Sequence, residues 1–291
     1  MAISSHDIAM PAFPHTDKHT AAHPALKMTN AGRPATFVVD ARNEHGETVS
    51  TSIAGEHPLT IYLDKREIVT LMTLGQAPEA LSIGYLRNQR LVPAAANLVS
   101  VQVDWDAAAC AVTTNTPRED VAERLGKRTV TTGCGQGTVF GDLMEEIDRL
   151  HLPAGAGIDA SGLYDLLDVV RQRETVYKQA GAVHGCALAR GNEILYFIED
   201  VGRHNAVDAI AGLMWLDGIS GDDKIFYTTG RLTSEMVIKC AQMQIPILVS
   251  RSGLTRMGWE IANKVGLTMI GRAKGKHFLV FTGHERFTER S

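Results

Sequence analysis

The sequence predicts an α+β protein in which a small N-terminal lobe precedes a larger α/β part built on a mixed sheet. From about residue 36 to residue 117, short runs of alternating apolar and polar side chains predict strands with a single helix among them. From residue 118 onward, predicted strands alternate with helices of about 10 to 15 residues. That alternation is typical of a sheet that helices cover on both faces.

The domain organisation follows from the same change of pattern. The chain has 291 residues, 44% of them hydrophobic, which is enough to bury a large core. Residues 1–35 are rich in His, Pro, Ala and Thr, show no periodicity and are predicted to form a disordered tail. Residues 36–117 are expected to form the small α+β lobe, and residues 118–291 the larger domain.

In the small lobe, the clearest signal is a β-hairpin. His57–Leu63 alternates, Asp64–Lys65 supplies a turn, and Arg66–Met72 alternates back. A helix over 78–90 and strands over 99–105 and 109–114 are predicted to complete this part of the chain.

The larger domain is predicted from helix periodicity and helix ends. Ser161 is expected to cap a helix that runs to Gln179 and stops before Gly181. Further helices are predicted over 203–216, 232–243 and 256–265, and strands over 184–190, 194–198, 224–228, 247–250 and 267–270. Ligands of such folds gather where the strands end, so the strand-end loops are the first places to look for a site.

Composition narrows the function classes. A net charge of −4 argues against broad electrostatic binding to nucleic acid or to an anionic membrane. No stretch approaches the roughly 20 apolar residues that span a bilayer. The first residues lack the basic and apolar regions of a secretory signal, so a cytoplasmic location is expected. The four cysteines are scattered without a disulfide framework.

Cys134 is the candidate nucleophile. It lies in Thr131–Thr138, between Gly133 and Gly135, where small neighbours leave a thiol reachable. A helix predicted over Val139–Leu150 would favour the thiolate through its N-terminal dipole. An incidental cysteine in a glycine-rich turn is the alternative. The other three cysteines, Cys110, Cys186 and Cys240, have the apolar surroundings of core residues.

The segment Glu199–Asp208 concentrates polar and charged side chains at a strand-to-helix junction. Arg203 and His204 fall in the first turn of the predicted helix, where they are candidates for anion contact or proton handling. His184, at the start of another strand, is a third candidate. A capped helix with a solvated first turn, and a core histidine on the strand, are the plainer alternatives.

Three further strand ends carry hydroxyl or basic side chains that suit a phosphate. They are Thr228–Glu235, Val249–Thr255 and Gly271–His277. The last contains the cluster Arg272, Ala273, Lys274, Gly275, Lys276 and His277. Solvated turn lysines are the alternative for that cluster.

Together these segments resemble the FdhD/NarQ family, the formate dehydrogenase accessory sulfurtransferases. The matching segments are EDVGRHNAVD at 199–208, TGRLTSEM at 229–236, IPILVSRS at 245–252, GLTMIGRAKGKHFLVFTG at 266–283, and the lobe segments 56–63 and 79–86. The resemblance covers the chain from about residue 36 to its end and implies a cytidine deaminase-like fold for the larger domain.

The resemblance also implies a sulfurtransferase that acts as a persulfide carrier. A cysteine desulfurase would load sulfur on Cys134. The protein would pass that sulfur to the molybdenum (or tungsten) bis-guanine-dinucleotide cofactor before its insertion into formate dehydrogenase. The cofactor, a bound substrate, would contact the loop 272–277, and no catalytic metal of the protein's own is expected. A second copy of the chain is also a candidate partner. Many family members carry a CxxC here, whereas this chain has Gly137, so a resolving thiol in the same loop is not expected.

Two alternatives remain open. A chaperone that only binds and escorts the cofactor needs the basic loops but no reactive thiol. A zinc-dependent deaminase could draw ligands from Cys134, Cys186, His184 and His204. The His-x-Glu and Pro-Cys-x-x-Cys pairings of that chemistry are absent from the sequence.

Overall fold

The structure is a computed structural model, and it describes residues 25–118, 120–121, 129–130, 137–138, 147 and 150–288. Among these residues the helices are α1 Pro78–Asn88, α2 Ala160–Arg173, α3 Val176–Ala180, α4 Arg203–Leu216, α5 Ser234–Gln242 and α6 Arg256–Val265. The strands are β1 Lys27–Met28, β2 Thr36–Arg42, β3 Thr48–Ala54, β4 His57–Leu63, β5 Arg66–Thr73, β6 Leu98–Asp104, β7 Ala109–Thr114, β8 Thr129–Val130, β9 Gly137–Thr138, β10 Ile158–Asp159, β11 His184–Arg190, β12 Glu193–Asp200, β13 Ile225–Thr228, β14 Ile247–Ser250, β15 Thr268–Lys274, β16 His277–Thr282 and β17 Phe287–Thr288. Cys134 and the helix predicted over 139–150 lie outside the described residues, apart from Ile147 and Leu150.

A five-stranded sheet, in the order β1-β6-β7-β4-β5, forms the N-terminal part of the fold. The predicted hairpin is confirmed as β4 and β5, which pair antiparallel around Asp64–Lys65. Both turn residues adopt positive φ. β1 pairs with β6 at Lys27–Met28, so the described fold begins before residue 36, inside the segment predicted to be a disordered tail. The pairing extends the sheet by one short strand.

A six-stranded mixed sheet, in the order β12-β11-β13-β14-β15-β16, forms the C-terminal part. β13, β14 and β15 are parallel, while β11, β12 and β16 run antiparallel to their neighbours. One apolar core joins this sheet to α4, α5 and α6, and a second joins its other face to α2. The predicted mixed α+β class, with helices on both faces of the larger sheet, is confirmed.

Helices α1 and α4 pack unusually close together because glycines face each other's backbones. A Cβ on Gly84 of α1 would lie 1.6 Å from the carbonyl oxygen of Asp208, and a Cβ on Gly212 of α4 would lie 1.9 Å from that of Ala80. All eleven residues of α1 are buried, since the helix lies between the five-stranded sheet and α4. Only glycine fits at these two crossing points.

Polar contacts reinforce the same junction. One carboxylate oxygen of Asp200 accepts hydrogen bonds from the Thr73 hydroxyl at 2.5 Å and the Leu74 amide at 3.2 Å. Asn205 donates to the other oxygen of Asp200 and to the carbonyl of Met72. These hydrogen bonds therefore link the end of β5 directly to the turn between β12 and α4.

The prediction of one continuous helix over 161–179 is wrong. It is two helices, α2 and α3, which are separated at Glu174–Thr175. The N-cap of α2 is Asp159, which accepts from the Gly162 amide at 2.7 Å, rather than Ser161. Gly181 ends α3 in the left-handed conformation, at φ 75°, as predicted. The predicted bounds of α4 and α6 are confirmed.

Candidate functional site

The parallel strands β13, β14 and β15 end at one edge of the six-stranded sheet, and β11 begins there. Cys186 of β11 pairs with Thr228, and Thr228 pairs with Ser250. The residues at this edge are His184, Thr228, Thr229, Ser250, Arg251 and Arg272, together with Arg203 at the start of α4; we call this set the strand-end edge. It is where the fold class predicts a ligand.

His184 is held in place by Thr229. Its Nδ1 lies 3.1 Å from the Thr229 hydroxyl oxygen, which also accepts a hydrogen bond from the Gly185 amide. Burial lowers the pKa of His184 below its ordinary value of 6.5, and the nearby cationic groups of Arg203 and Arg251 lower it further. This environment therefore favours the neutral form of the imidazole.

Arg203 lies beside His184, with its aliphatic chain packed against the backbone at Gly230. A Cβ on Gly230 would come within 2.3 Å of the Arg203 Cδ atom. Arg203 is buried, since it opens α4 beneath the strand ends. Gly230 is therefore required for space: any larger residue there would push the arginine out of its position.

Arg251 links the strand-end edge to the segment before α3. It donates to the Glu174 carboxylate at 3.0 Å, and its guanidinium carbon lies 4.9 Å from the ring centroid of Tyr177. The Glu174 side chain is almost fully buried, while that of Arg251 is about one third exposed. The Arg251 side chain is therefore partly exposed at the strand-end edge, although its guanidinium group is already paired with one carboxylate.

Glu199 has a structural task that the sequence did not indicate. Its carboxylate accepts from the amides of Thr175, Val176 and Tyr177 and from the Thr175 hydroxyl, each at 2.9 Å. These are the donors that the start of a helix leaves without intrahelical partners. Glu199 therefore caps α3, and this contact explains why the predicted long helix is broken.

Replacing Glu199 by alanine should remove this cap and leave the first amides of α3 without partners in a buried setting. We expect a loss of about 2 kcal/mol or more in the free energy of unfolding. Hydrogen exchange should show faster exchange over residues 175–180. Glu193→Ala, at the exposed start of the same strand, is the matched control. Unchanged exchange at α3 in the Glu199 variant would contradict the assigned role.

His204 lies on the inner side of α4 rather than at the strand-end edge. It is 2% exposed, with Nδ1 3.2 Å from the Glu235 carboxylate of α5. Burial lowers the pKa of His204, against the opposing pull of Glu235. Of the three candidates from the sequence, the fold brings His184 and Arg203 together at the edge and places His204 in the interior.

The basic segment 272–277, predicted as a loop, comprises the last three residues of β15, a turn at Gly275 and Lys276, and the first residue of β16. Arg272 has a positive φ of 54°, and its amide donates to the Ser252 carbonyl at 2.8 Å. The Ala273 side chain is buried in the core, so it can contact a ligand only through its backbone. Gly275 makes the turn in the left-handed conformation, and the remaining residues, Arg272, Lys274, Lys276 and His277, are exposed.

The three described cysteines are all buried. Burial raises the pKa of Cys110 and of Cys186 to about 12, and it raises the pKa of Cys240 well above the ordinary value. Their predicted core positions are confirmed. Within the described residues, no group of three or more His, Cys, Asp or Glu side chains is arranged to hold a metal ion. No helix in the described part of the chain is long and apolar enough to span a membrane.

Sequence reasoning named the segments that contain Arg231 and Arg251 but did not single out these arginines. The signal was available, because Arg251 directly follows the predicted strand 247–250 and Arg231 lies three residues after the predicted strand 224–228. Glu174 and Tyr177 fell inside the predicted long helix, and nothing local indicated that they face the edge. Their importance arises only from the tertiary contact with Arg251.

The fold and the site define a mixed α+β protein with a cationic edge at the ends of its parallel strands. The model of the FdhD/NarQ family matches residues 54–288. The chain belongs to the FdhD/NarQ family.

Relatives and a solved structure agree with this membership. The chain is 30% identical to the sulfur carrier protein FdhD of Listeria innocua, over 83% of the chain and 94% of that protein. It is 28% identical to the sulfur carrier protein FdhD of Bacillus subtilis, over 85% of the chain and 95% of that protein. A crystal structure of a protein from Desulfotalea psychrophila, described as a formate dehydrogenase accessory protein, matches with a TM-score of 0.71 at 25% identity, covering 88% of the chain and all of that protein.

Proposed function

We propose that this protein is a cytoplasmic sulfur carrier required for formate dehydrogenase activity. In this proposal it accepts persulfide sulfur from a cysteine desulfurase on Cys134. It then passes the sulfur to the molybdenum bis-guanine-dinucleotide cofactor before that cofactor enters formate dehydrogenase. The names of the relatives and the cationic strand-end edge support the proposal.

The burial of the other three cysteines is the observation that supports Cys134 as the carrier. A sulfur carrier needs a thiolate that a partner protein can reach. Cys110, Cys186 and Cys240 are fully buried, and burial raises the pKa of each thiol, so none of them is suited to this role. Cys134, set among glycines, is the cysteine that remains.

The loading step is a sulfur transfer without net oxidation. The Cys134 thiolate attacks the outer sulfur of the desulfurase persulfide, the sulfur–sulfur bond breaks, and the desulfurase cysteine leaves as a thiolate. Cys134 then bears the persulfide, which is more acidic than a thiol and stays anionic. Because residue 137 is glycine, the carrier holds its sulfur without a second thiol in the same loop.

The substrate proposed for the strand-end edge carries two pyrophosphate groups. Arginine guanidinium groups bind phosphate oxygens in a bidentate manner, which suits Arg203 and Arg251 to this task. In this proposal the exposed side chains of the 272–277 loop, together with its backbone, contribute further contacts to the dinucleotide. The cofactor is bound as a substrate and leaves with its client enzyme.

Incubation with a cysteine desulfurase and cysteine tests the sulfur step directly. Mass spectrometry should show that the wild-type protein gains the mass of one sulfur atom and that Cys134→Ala gains none. Cys110→Ala is the matched control, and it should load like the wild type if it remains folded by circular dichroism. Equal loading of Cys134→Ala would overturn the assignment of the carrier cysteine.

Rescue of formate dehydrogenase activity separates a carrier from an escort. In cells that lack their own accessory factor, the wild type should restore activity and Cys134→Ala should not. Equal rescue by the two would mean that the protein escorts the cofactor without carrying sulfur.

A further inference from the structure

Besides burial, four basic side chains on neighbouring elements lower the pKa of His184. They are Arg203 and His204 at the start of α4, Arg231 after β13 and Arg251 after β14. Like-signed groups close to an imidazole disfavour its protonated form. The electrostatic environment is therefore set against a proton on His184 for as long as the strand-end edge holds no anion.

Three carboxylates on the elements around His184 make other contacts. Asp200, its partner across β11 and β12, is bonded to Thr73, Leu74, Gly202 and Asn205. Glu199, the next residue along β12, caps α3. Glu174 is paired with Arg251 at 3.0 Å. These carboxylates stabilise the surrounding structure, and none of them is hydrogen-bonded to the imidazole.

Thr229 makes both protonation states of His184 compatible with one geometry. Its hydroxyl can donate to Nδ1 of the neutral ring across the 3.1 Å contact, and it can equally accept from Nδ1 of the charged ring. The Gly185 amide donates to the same oxygen in either case, since a hydroxyl has two acceptor sites. The ring can gain a proton without moving.

We propose that binding of a phosphate or pyrophosphate group at the strand-end edge is coupled to the uptake of one proton by His184. This inference rests on the proposed function, since it assigns a property to the edge where the phosphate-bearing substrate would bind. An anion held by Arg203 and Arg251 reverses the field at the imidazole, and the imidazolium then contributes its own charge to the bound anion.

The coupling has a definite pH dependence. Burial and the nearby basic groups lower the pKa of free His184 below 6.5. A bound anion would raise it, since an opposite charge favours the protonated form. Proton uptake on binding is therefore greatest at pH values between the free and bound pKa. Across this window the contribution of His184 makes the affinity fall as pH rises, by at most about tenfold per pH unit, which is the limit for one proton.

Calorimetric titration in two buffers with different ionisation enthalpies measures this proton directly. The probes are inorganic pyrophosphate and guanosine diphosphate. The phosphate groups of both probes also titrate near neutral pH, so the His184 proton is measured as the difference between the wild type and His184→Gln. We expect the wild type to bind more tightly and to take up as much as one more proton per ligand than His184→Gln, with the largest difference in the window described above. His45→Gln, which alters an exposed histidine between β2 and β3, far from the strand-end edge, is the matched control and should keep the uptake.

Each outcome bears on the inference. Uptake that falls only in His184→Gln supports it, and tighter binding of guanosine diphosphate than of pyrophosphate would assign the bound group to a nucleotide. Binding of either probe with equal proton uptake in the wild type and in His184→Gln, or no binding of either probe, overturns it. Sulfur loading of Cys134 is measured separately, so failure of this coupling is distinguishable from failure of the proposed function.

Discussion

Replacing Gly84 or Gly212 by alanine should lower the free energy of unfolding by about 3 kcal/mol or more, which is enough to prevent folding in many proteins. The added methyl groups would lie 1.6 Å and 1.9 Å from backbone carbonyl oxygens of the facing helix. Backbone atoms within a helix cannot move aside as the end of a side chain can. The only relief is to separate α1 from α4, which would open the core that both helices close.

Urea unfolding followed by circular dichroism measures this effect. Gly162→Ala is the matched control, since Gly162 is also helical but its added Cβ would meet neighbours only at 3.4 Å or more. That substitution should leave stability unchanged or raise it by up to about 1 kcal/mol, because alanine favours helix. A Gly84→Ala protein as stable as the wild type would mean that the helices are not in such close contact.

Lys239→Met should cost about 3 to 5 kcal/mol in stability, because it leaves a buried carboxylate without its counter-ion. The Lys239 ammonium lies 2.8 Å from the Asp208 carboxylate and 3.6 Å from that of Glu235, in a site with almost no exposure. The other oxygen of Asp208 accepts from Asn88 of α1 at 2.7 Å. One amide hydrogen bond cannot replace the lost cation.

The loss should depend on pH with a definite sign. Burial raises the pKa of Asp208 above its ordinary value of 3.8, and Lys239 opposes that rise. Without Lys239 the pKa rises further, so the folded variant binds a proton more tightly than the unfolded chain does. The variant therefore regains stability as the pH falls through the raised pKa towards 3.8.

Thermal unfolding across a pH series tests this pair. Lys264→Met, on the exposed side of α6, is the control and should change stability by less than about 0.5 kcal/mol. The double variant Lys239→Met/Asp208→Leu should recover part of the loss, since the carboxylate that lies closest to Lys239 is then removed as well. A constant loss at every pH would show that packing, rather than charge, accounts for the effect.

Local sequence patterns were sufficient where local forces decide the structure. The bounds of α4 and α6 and the β4–β5 hairpin follow from periodicity and turn residues, and all three are confirmed. The break at Glu174–Thr175 was missed because its cause, the carboxylate of Glu199, is supplied by a distant strand. No pattern within residues 161–179 contains that information.

The segment 199–208 shows the same limit for the candidate site. Its dense polar side chains were interpreted as chemistry, and most of them make structural contacts. Glu199 caps α3, Asp200 binds the end of β5, and Asp208 pairs with Lys239. Arg203 is the residue of this segment at the strand-end edge. Residue types predict which contacts are chemically feasible, whereas the fold decides which partner each side chain meets.

The burial of α1 has a consequence for biosynthesis. The sheet covers one side of this helix, and its other side is covered by α4, which leaves the ribosome only much later. Until then the nascent N-terminal part exposes the face of α1 that packs on α4, which includes Gly84 and the side chains of Arg87 and Asn88 that bind α4. Contacts between such distant segments slow folding and leave the chain open to aggregation. The growing chain should therefore depend on chaperones until α4 has been synthesised, and a fragment that ends at residue 117 should aggregate.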